Sequence, residues 1–233
     1  FPTIAAHLVS ASIMNAPAAI IMSKLIYPES ETPETLGIHV KSEYKREPNF
    51  IAAIISSSNA GVKLVVGIVT LLLAFLGLVA LTDKILILFG SQINALFGIG
   101  IDWTLKGLMG YLFYPITLLL GVPIADAGHV SKIIGSRAIV TEVTAFQNLA
   151  VLLKSGVVLE PRTVVITTYA LTGFAHIASL AIFVGGIAAL VPKRINDLSR
   201  LGFRALIAAT LATLLTACIA GLFYNPNSIL IVL

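Results

Sequence analysis

The chain has 233 residues, of which 58% are hydrophobic and 11% charged, with a net charge of +4. Soluble domains carry about 25% charged residues, so this composition excludes a water-soluble globular protein and indicates an integral membrane protein. The small positive charge reads as loop charge that sets orientation rather than as nucleic-acid binding, and a single cysteine, Cys218, excludes an internal disulfide and a cysteine-rich metal site.

The chain opens at Phe1-Pro2 without a signal-type segment, which is expected for the later part of a longer polypeptide. Residues 3–27 form the first predicted span, interrupted by His7, Asn15 and Pro17. A proline inside a helix removes a backbone hydrogen bond, which neighbouring groups in a membrane protein can replace. The small residues Ser10, Ala11, Ser12, Ala16, Ala18 and Ala19 suit close helix packing. Residues 28–49 read as a polar surface loop punctuated by Pro28, Pro33 and Pro48, with His39 solvated.

Residues 50–63 are amphipathic and short, with a polar stripe at Ser56-Ser57-Ser58-Asn59, and predict a helix lying in the membrane interface. Residues 64–82 supply 19 uncharged positions and predict a separate span, followed after Asp83-Lys84 by the aliphatic run 85–89. Residues 107–125 carry Pro115 and the turn signal Gly121-Val122-Pro123, then charges at Asp126, Lys132 and Arg137. That pattern predicts a re-entrant helical hairpin buried in protein, since irregular backbone at membrane depth needs a cavity or protein cover. Residues 137–153 predict a further helix carrying Glu142.

Residues 163–192 contain no Asp, Glu, Lys or Arg and are closed by Arg162 and Lys193-Arg194. Thirty residues as one straight helix would reach about 45 Å, against a hydrocarbon core of about 30 Å. A break is therefore expected at 173–179, where Gly173, Phe174, His176 and Ser179 fall. The basic stretch 193–200, with Arg204 beyond it, reads as a cytoplasmic loop. Residues 205–224 predict the last span, and 225–233 a tail. The predicted class is an all-α polytopic membrane protein with a re-entrant hairpin, a broken transmembrane helix and an interfacial helix. Its expected units are 1–63, 64–100 and 101–233.

Few polar residues sit at depth. A carboxylate near the bilayer centre costs at least about 2.5–3.5 kcal/mol, so Glu142 calls for a cavity, a ligand or a partner charge. Two readings stand: a group that holds a translocated ligand, and a structural pairing with Arg137 or Lys132. His176 and Ser179 are three apart and share a helix face; the alternatives are a substrate site or a hydrogen bond between helices. Asp126 and His129 lack a third metal ligand, and Asp126 reads as a helix-start cap. No nucleophile stands at motif spacing from a base, and there is no phosphate loop, so the sequence does not argue for an enzyme or a bound cofactor.

Three stretches carry a resemblance: LVSASIMNAP at 8–17 with Ser23-Lys24-Leu25 and Pro28-Glu29-Ser30-Glu31, GYLFYPITLLLGVP at 110–123 with TEVTAF at 141–146, and 169–194. They resemble the concentrative nucleoside transporter family, and the similarity continues into 216–221. The resemblance implies a homotrimer in a bacterial plasma (inner) membrane, with a scaffold and a moving transport domain in each protomer. It implies cation-coupled nucleoside symport by alternating access, driven by Na+ or H+. The family's second hairpin would be about 103–134 and its second broken helix 163–192; the first of each, with most coupling-ion ligands, would lie upstream of Phe1. Carried over by position, Glu142 is similar to the acid that takes the ribose hydroxyls and Ser179 to a second ribose contact. Phe174 matches a ring near the nucleoside, and Leu64 an apolar wall. His176 stands where the family usually has asparagine, a departure that bears on base or sugar preference and leaves open a transporter of another small polar solute. A passive pore is the more distant alternative, since a pore favours rings of like polar groups.

Overall fold

The computed structural model describes residues 4–32, 36–37 and 47–226. His39, the opening Phe1-Pro2 and most of the predicted tail (227–233) lie outside the described residues. Their regular structure is all helical, with no strand among the described residues: α1 (Ile4–Ile26), α2 (Phe50–Phe97), α3 (Leu105–Leu119), α4 (Ile124–Arg137), α5 (Glu142–Lys154), α6 (Pro161–Leu171), α7 (Ile177–Leu190) and α8 (Ile195–Leu222). Among the described residues three segments are long and apolar enough to cross a membrane: α1, α2 and 192–222. The broken pair α6–α7 is the fourth predicted crossing.

Helix α1 runs unbroken through Pro17 and buries Ala11 and Ala18. Its Asn15 bridges two elements, accepting from Thr216 Oγ1 of α8 at 2.9 Å and donating Nδ2 to the Thr172 carbonyl at 3.1 Å. A mid-span polar side chain that bonds across helices is membrane glue of the expected kind.

Helix α2 corrects the sequence reading. The proposed interfacial helix 50–63, the span 64–82 and the run 85–89 are one helix of 48 residues, about 72 Å long. No proline or cap stands between 63 and 64 to stop it, and Asp83-Lys84 falls inside it without ending it. Asn49 caps its start, accepting from the Ala52 N–H at 2.8 Å, and Gly98 ends it at φ 64°. Asp83 instead reaches the next element: its Oδ1 accepts the Leu105 N–H at 2.7 Å, one of the orphan donors at the start of α3.

The predicted hairpin is present as α3 and α4 about a tight turn in which Gly121 has φ +84°. At 15 and 14 residues each arm is about 21–23 Å long, shorter than the hydrocarbon core. The arms approach backbone to backbone, since a Cβ on Gly135 would stand 2.6 Å from the Met109 carbonyl.

A second reversal, unforeseen from sequence, follows at 138–141. Asp126 in the first turn of α4 accepts the Glu160 N–H through Oδ2 at 3.0 Å. Glu160 follows α5, and only four residues join α4 to α5 at the other end, so these two helices also run antiparallel. This corrects Asp126 as well: Pro123 holds the cap position of α4, and the carboxylate ties α4 to the start of α6. Helix α6 then returns beside α4, with residues 163–172 all buried, and forms the centre of the core with Ile134, Leu149 and Ala217. At its base Arg162 donates to the Gly221 carbonyl at 2.8 Å and to the Gly121 carbonyl at 2.9 Å. The basic stretch predicted as a loop is largely helical: Pro192–Arg194 is a short 3-10 turn and α8 begins at Ile195.

Candidate functional site at a break between two helices

The 163–192 segment breaks at 172–176, within a few residues of the expected position. Breaking a helix exposes carbonyls at the end of one half and N–H groups at the start of the next. Inside a membrane each needs a protein partner, and here the partners define a polar centre.

On the α6 side, Arg137 at the end of α4 donates Nη1 to the Ala170 carbonyl at 2.7 Å and to Thr213 Oγ1 at 2.9 Å. Its Nη2 donates to the Gly173 carbonyl at 2.9 Å. Asn15 takes the Thr172 carbonyl. The N–H of Gly173 goes the other way, to Glu142 Oε2 at 3.2 Å. Glu142 is the first residue of α5, where a negative charge is favoured by the helix dipole, and Thr141 precedes it as N-cap. Its second oxygen, Oε1, accepts nothing from the described residues. Gly173 sits at φ +134°, in the region that favours glycine, and a Cβ there would meet Thr213 Cγ2 at 2.5 Å.

On the α7 side, His176 is the N-cap and Ser179 completes a reciprocal capping box. The imidazole Nδ1 accepts the Ser179 N–H at 3.0 Å, and Ser179 Oγ accepts the His176 N–H at 3.0 Å while donating to the His176 carbonyl at 2.5 Å. A ring whose Nδ1 accepts carries its hydrogen on Nε2, and that Nε2 is buried without a protein partner among the described residues. The Ile177 N–H bonds to the Ala138 carbonyl at 3.1 Å, so the α4–α5 connection touches both halves of the break.

Four of the five sequence-predicted site residues gather here. Glu142 is half-buried beside Gly173. Phe174 stays 43% exposed and meets the His176 ring edge-on at 4.9 Å and Phe183 at 5.4 Å. His176 and Ser179 are buried and bonded to one another. Phe174 and Ser179 border an apolar cleft of about 330 Å³ between α7 and α8. The fifth, Leu64, is elsewhere: it packs over Gly186, ten residues or about 15 Å along α7 from His176.

The structural pairing considered for Glu142 does not form as a direct contact, although the Arg137 guanidinium lies near enough to act on the carboxylate through its charge. Among the described residues Glu142 makes no ion pair with Arg137 or Lys132. Both Arg137 and Glu142 bind Gly173 instead, one at its carbonyl and one at its N–H. Asn15, Arg137 and Ala138 are site residues that the sequence reading had placed only as an interruption, a pairing partner and a helix position. A basic residue at the end of a helix that follows the hairpin turn was the available signal for Arg137. No group of three His, Cys, Asp or Glu among the described residues is placed to hold a metal ion.

Comparison with known proteins supplies the remaining observations. The sequence model of a family described as Na+ dependent nucleoside transporter C-terminus matches residues 7–221. An uncharacterized transporter of Haemophilus influenzae is 37% identical over 93% of this chain and 51% of its own. Nucleoside permease NupC of Helicobacter pylori is 33% identical over 95% of this chain and 52% of its own. The chain thus spans about half the length of these relatives. Among solved structures, a double variant of CNTnw in an outward-facing state is 34% identical with a TM-score of 0.78, covering 93% of this chain and 50% of that one. The inward-facing substrate-bound state of CNTnw gives a TM-score of 0.67 at the same identity and coverage.

Proposed function

This chain belongs to the concentrative nucleoside transporter family, and on that premise we propose that it serves cation-coupled symport of a nucleoside by alternating access. The family is one of transporters rather than enzymes, and a coupling cation belongs to its activity. Na+ is the first expectation for this protein, following the family's description, and H+ the second.

The observation that carries the reading is the placement of Glu142. One carboxylate oxygen is anchored on the Gly173 N–H, and the other accepts nothing from the described residues beside the helix break. A carboxylate accepts without donating and suits neighbouring hydroxyls such as those of a ribose. Phe174, exposed at the same break, offers an apolar ring face or edge to the nucleoside. The buried His176 Nε2–H is a donor without a partner among the described residues and stands ready for an acceptor oxygen or a water. Ser179 acts in this scheme through His176, because its hydroxyl is committed to the cap. Leu64 is proposed as a wall residue only through a later movement of α2 past α7. Irregular backbone and half-helix ends at mid-membrane are the common construction of transporter sites.

The proposed scaffold is α2, which meets α7 through Leu64 and Leu71 against Gly186 and Gly185 without a hydrogen bond at either contact. The polar ties among α1, α4, α5, α6 and α8 favour their moving together. A homotrimer in a bacterial inner membrane completes the proposal.

The test is uptake of labelled uridine and adenosine by the full-length protein in proteoliposomes, with imposed Na+ or H+ gradients. Concentrative, saturable uptake under one gradient is expected. Glu142→Gln should lower uptake at low substrate by at least about tenfold while insertion is kept, as loss of a charged acceptor implies. Uptake that merely equilibrates would indicate a pore. Near-normal uptake by Glu142→Gln would remove the carboxylate from the site.

A further inference from the structure

Gly173 is the one residue of the break that is held at both its N–H and its carbonyl by side chains of opposite charge. Glu142 Oε2 accepts its N–H at 3.2 Å, and Arg137 Nη2 donates to its carbonyl at 2.9 Å. Glycine is the least constrained residue in φ and ψ, so its two peptide groups keep their directions only while something holds them. Arg137 is 2% exposed and reaches three acceptors on two elements: Ala170 and Gly173 on the broken helix, and Thr213 on α8.

We propose that Arg137 is the positioning residue for the Glu142 carboxylate, acting through the Gly173 peptides and not through an ion pair. This rests on the reading that Glu142 takes the ribose hydroxyls. The Gly173 carbonyl is held by the guanidinium together with the Ala175 N–H at 3.0 Å, and the Gly173 N–H belongs to the Thr172–Gly173 peptide, whose carbonyl Asn15 holds at 3.1 Å; between these two anchored peptides the N–H points at Glu142. Without the guanidinium the Gly173 carbonyl keeps only the Ala175 N–H, the φ and ψ of the glycine loosen, and the N–H, steadied by Asn15 alone, anchors the carboxylate less firmly. The guanidinium is suited to the task because its planar fork presents several donors in fixed directions. A lysine at the same place is a point charge that can serve one or two of the three acceptors.

The inference implies a particular kinetic signature. Disorder confined to the Glu142 carboxylate affects substrates that carry ribose hydroxyls and spares those that lack them. The experiment compares half-saturation concentrations for uridine and 2′,3′-dideoxyuridine in proteoliposomes bearing full-length wild type, Arg137→Gln or Arg137→Lys. Wild type should favour uridine by about tenfold or more, the scale of one or two charge-assisted hydrogen bonds. Arg137→Gln should bring the two substrates within about threefold of each other, chiefly by weakening uridine, and Arg137→Lys should fall between. If Arg137→Gln fails to reach the membrane, Arg137→Lys is read by the same ratio. A variant that slows both substrates equally and keeps the wild-type ratio overturns the positioning role and leaves the function proposed above intact. A wild type that takes up both substrates alike overturns that function's ribose contact and this inference together.

Discussion

Replacing Gly173 by alanine separates two costs that the structure stacks at one position. The first is conformational: at φ +134° an L side chain is strained whatever the space around it, and a residue forced into such a region costs about 1–3 kcal/mol. The second is steric: the added Cβ would stand 2.5 Å from Thr213 Cγ2, with Arg137 Nη2 at 3.4 Å and Asn15 Nδ2 at 3.5 Å. Overpacking of this kind costs about 1–3 kcal/mol. Together they predict a loss of about 2–6 kcal/mol, which is a large share of the stability of most domains. Thr213→Ser removes the offending methyl and keeps the hydroxyl that Arg137 Nη1 uses. The double variant should therefore recover the steric share and keep the conformational one. The assay is the temperature at which half of the detergent-purified protein is lost from the monodisperse size-exclusion peak, for wild type, each single variant and the double. Coupling between the two substitutions is the diagnostic, since residues in contact are non-additive. A Gly173→Ala protein as heat-stable as wild type would refute the strained, crowded break. So would a double variant no better than Gly173→Ala.

Two further outcomes follow from the same packing. Gly135→Ala should lower heat stability and expression more than Gly185→Ala does. The new Cβ in the first meets backbone atoms of Met109 and Gly110 at 2.6–2.7 Å, whereas in the second it meets Leu71 Cδ1, the mobile end of a side chain; equal effects, measured by the same heating assay, would contradict the close α3–α4 approach. His176→Asn keeps a good N-cap and should cost less than His176→Ala, which loses both the cap and a fully buried ring and should cost about 2–5 kcal/mol. Substrate profiles of the asparagine variant then report on the ring itself, and an unchanged preference among bases and deoxyriboses would mean that the position does not select.

Much of this molecule was legible locally. Hydropathy marks the membrane class because the bilayer imposes a length and a polarity on every crossing segment. The break at 172–176 was visible because a charge-free run too long for one crossing placed a glycine, a histidine and a serine together near its middle. Glu142 stood out because ionised groups in apolar surroundings are costly and therefore few. The turn of the α3–α4 hairpin was announced by Gly121-Val122-Pro123, which is local turn chemistry.

What the sequence left open was set by relations between distant positions. The continuity of α2 across 63–64 depends on nothing interrupting it, and a polar stripe is as compatible with a long helix as with an interfacial one. Asp126 offered a cap by its neighbours alone, yet its carboxylate bonds an N–H 34 residues away. Arg137 and Glu142, five positions apart with opposite charges, suggested each other as partners. Packing of α6 between α1, α4, α5 and α8 presents both with the two ends of Gly173 instead. A hydrogen bond at 31 or 36 residues' separation leaves no periodicity in the chain. It arises only when the orphan groups of a broken helix need partners and the surrounding helices are in place to supply them.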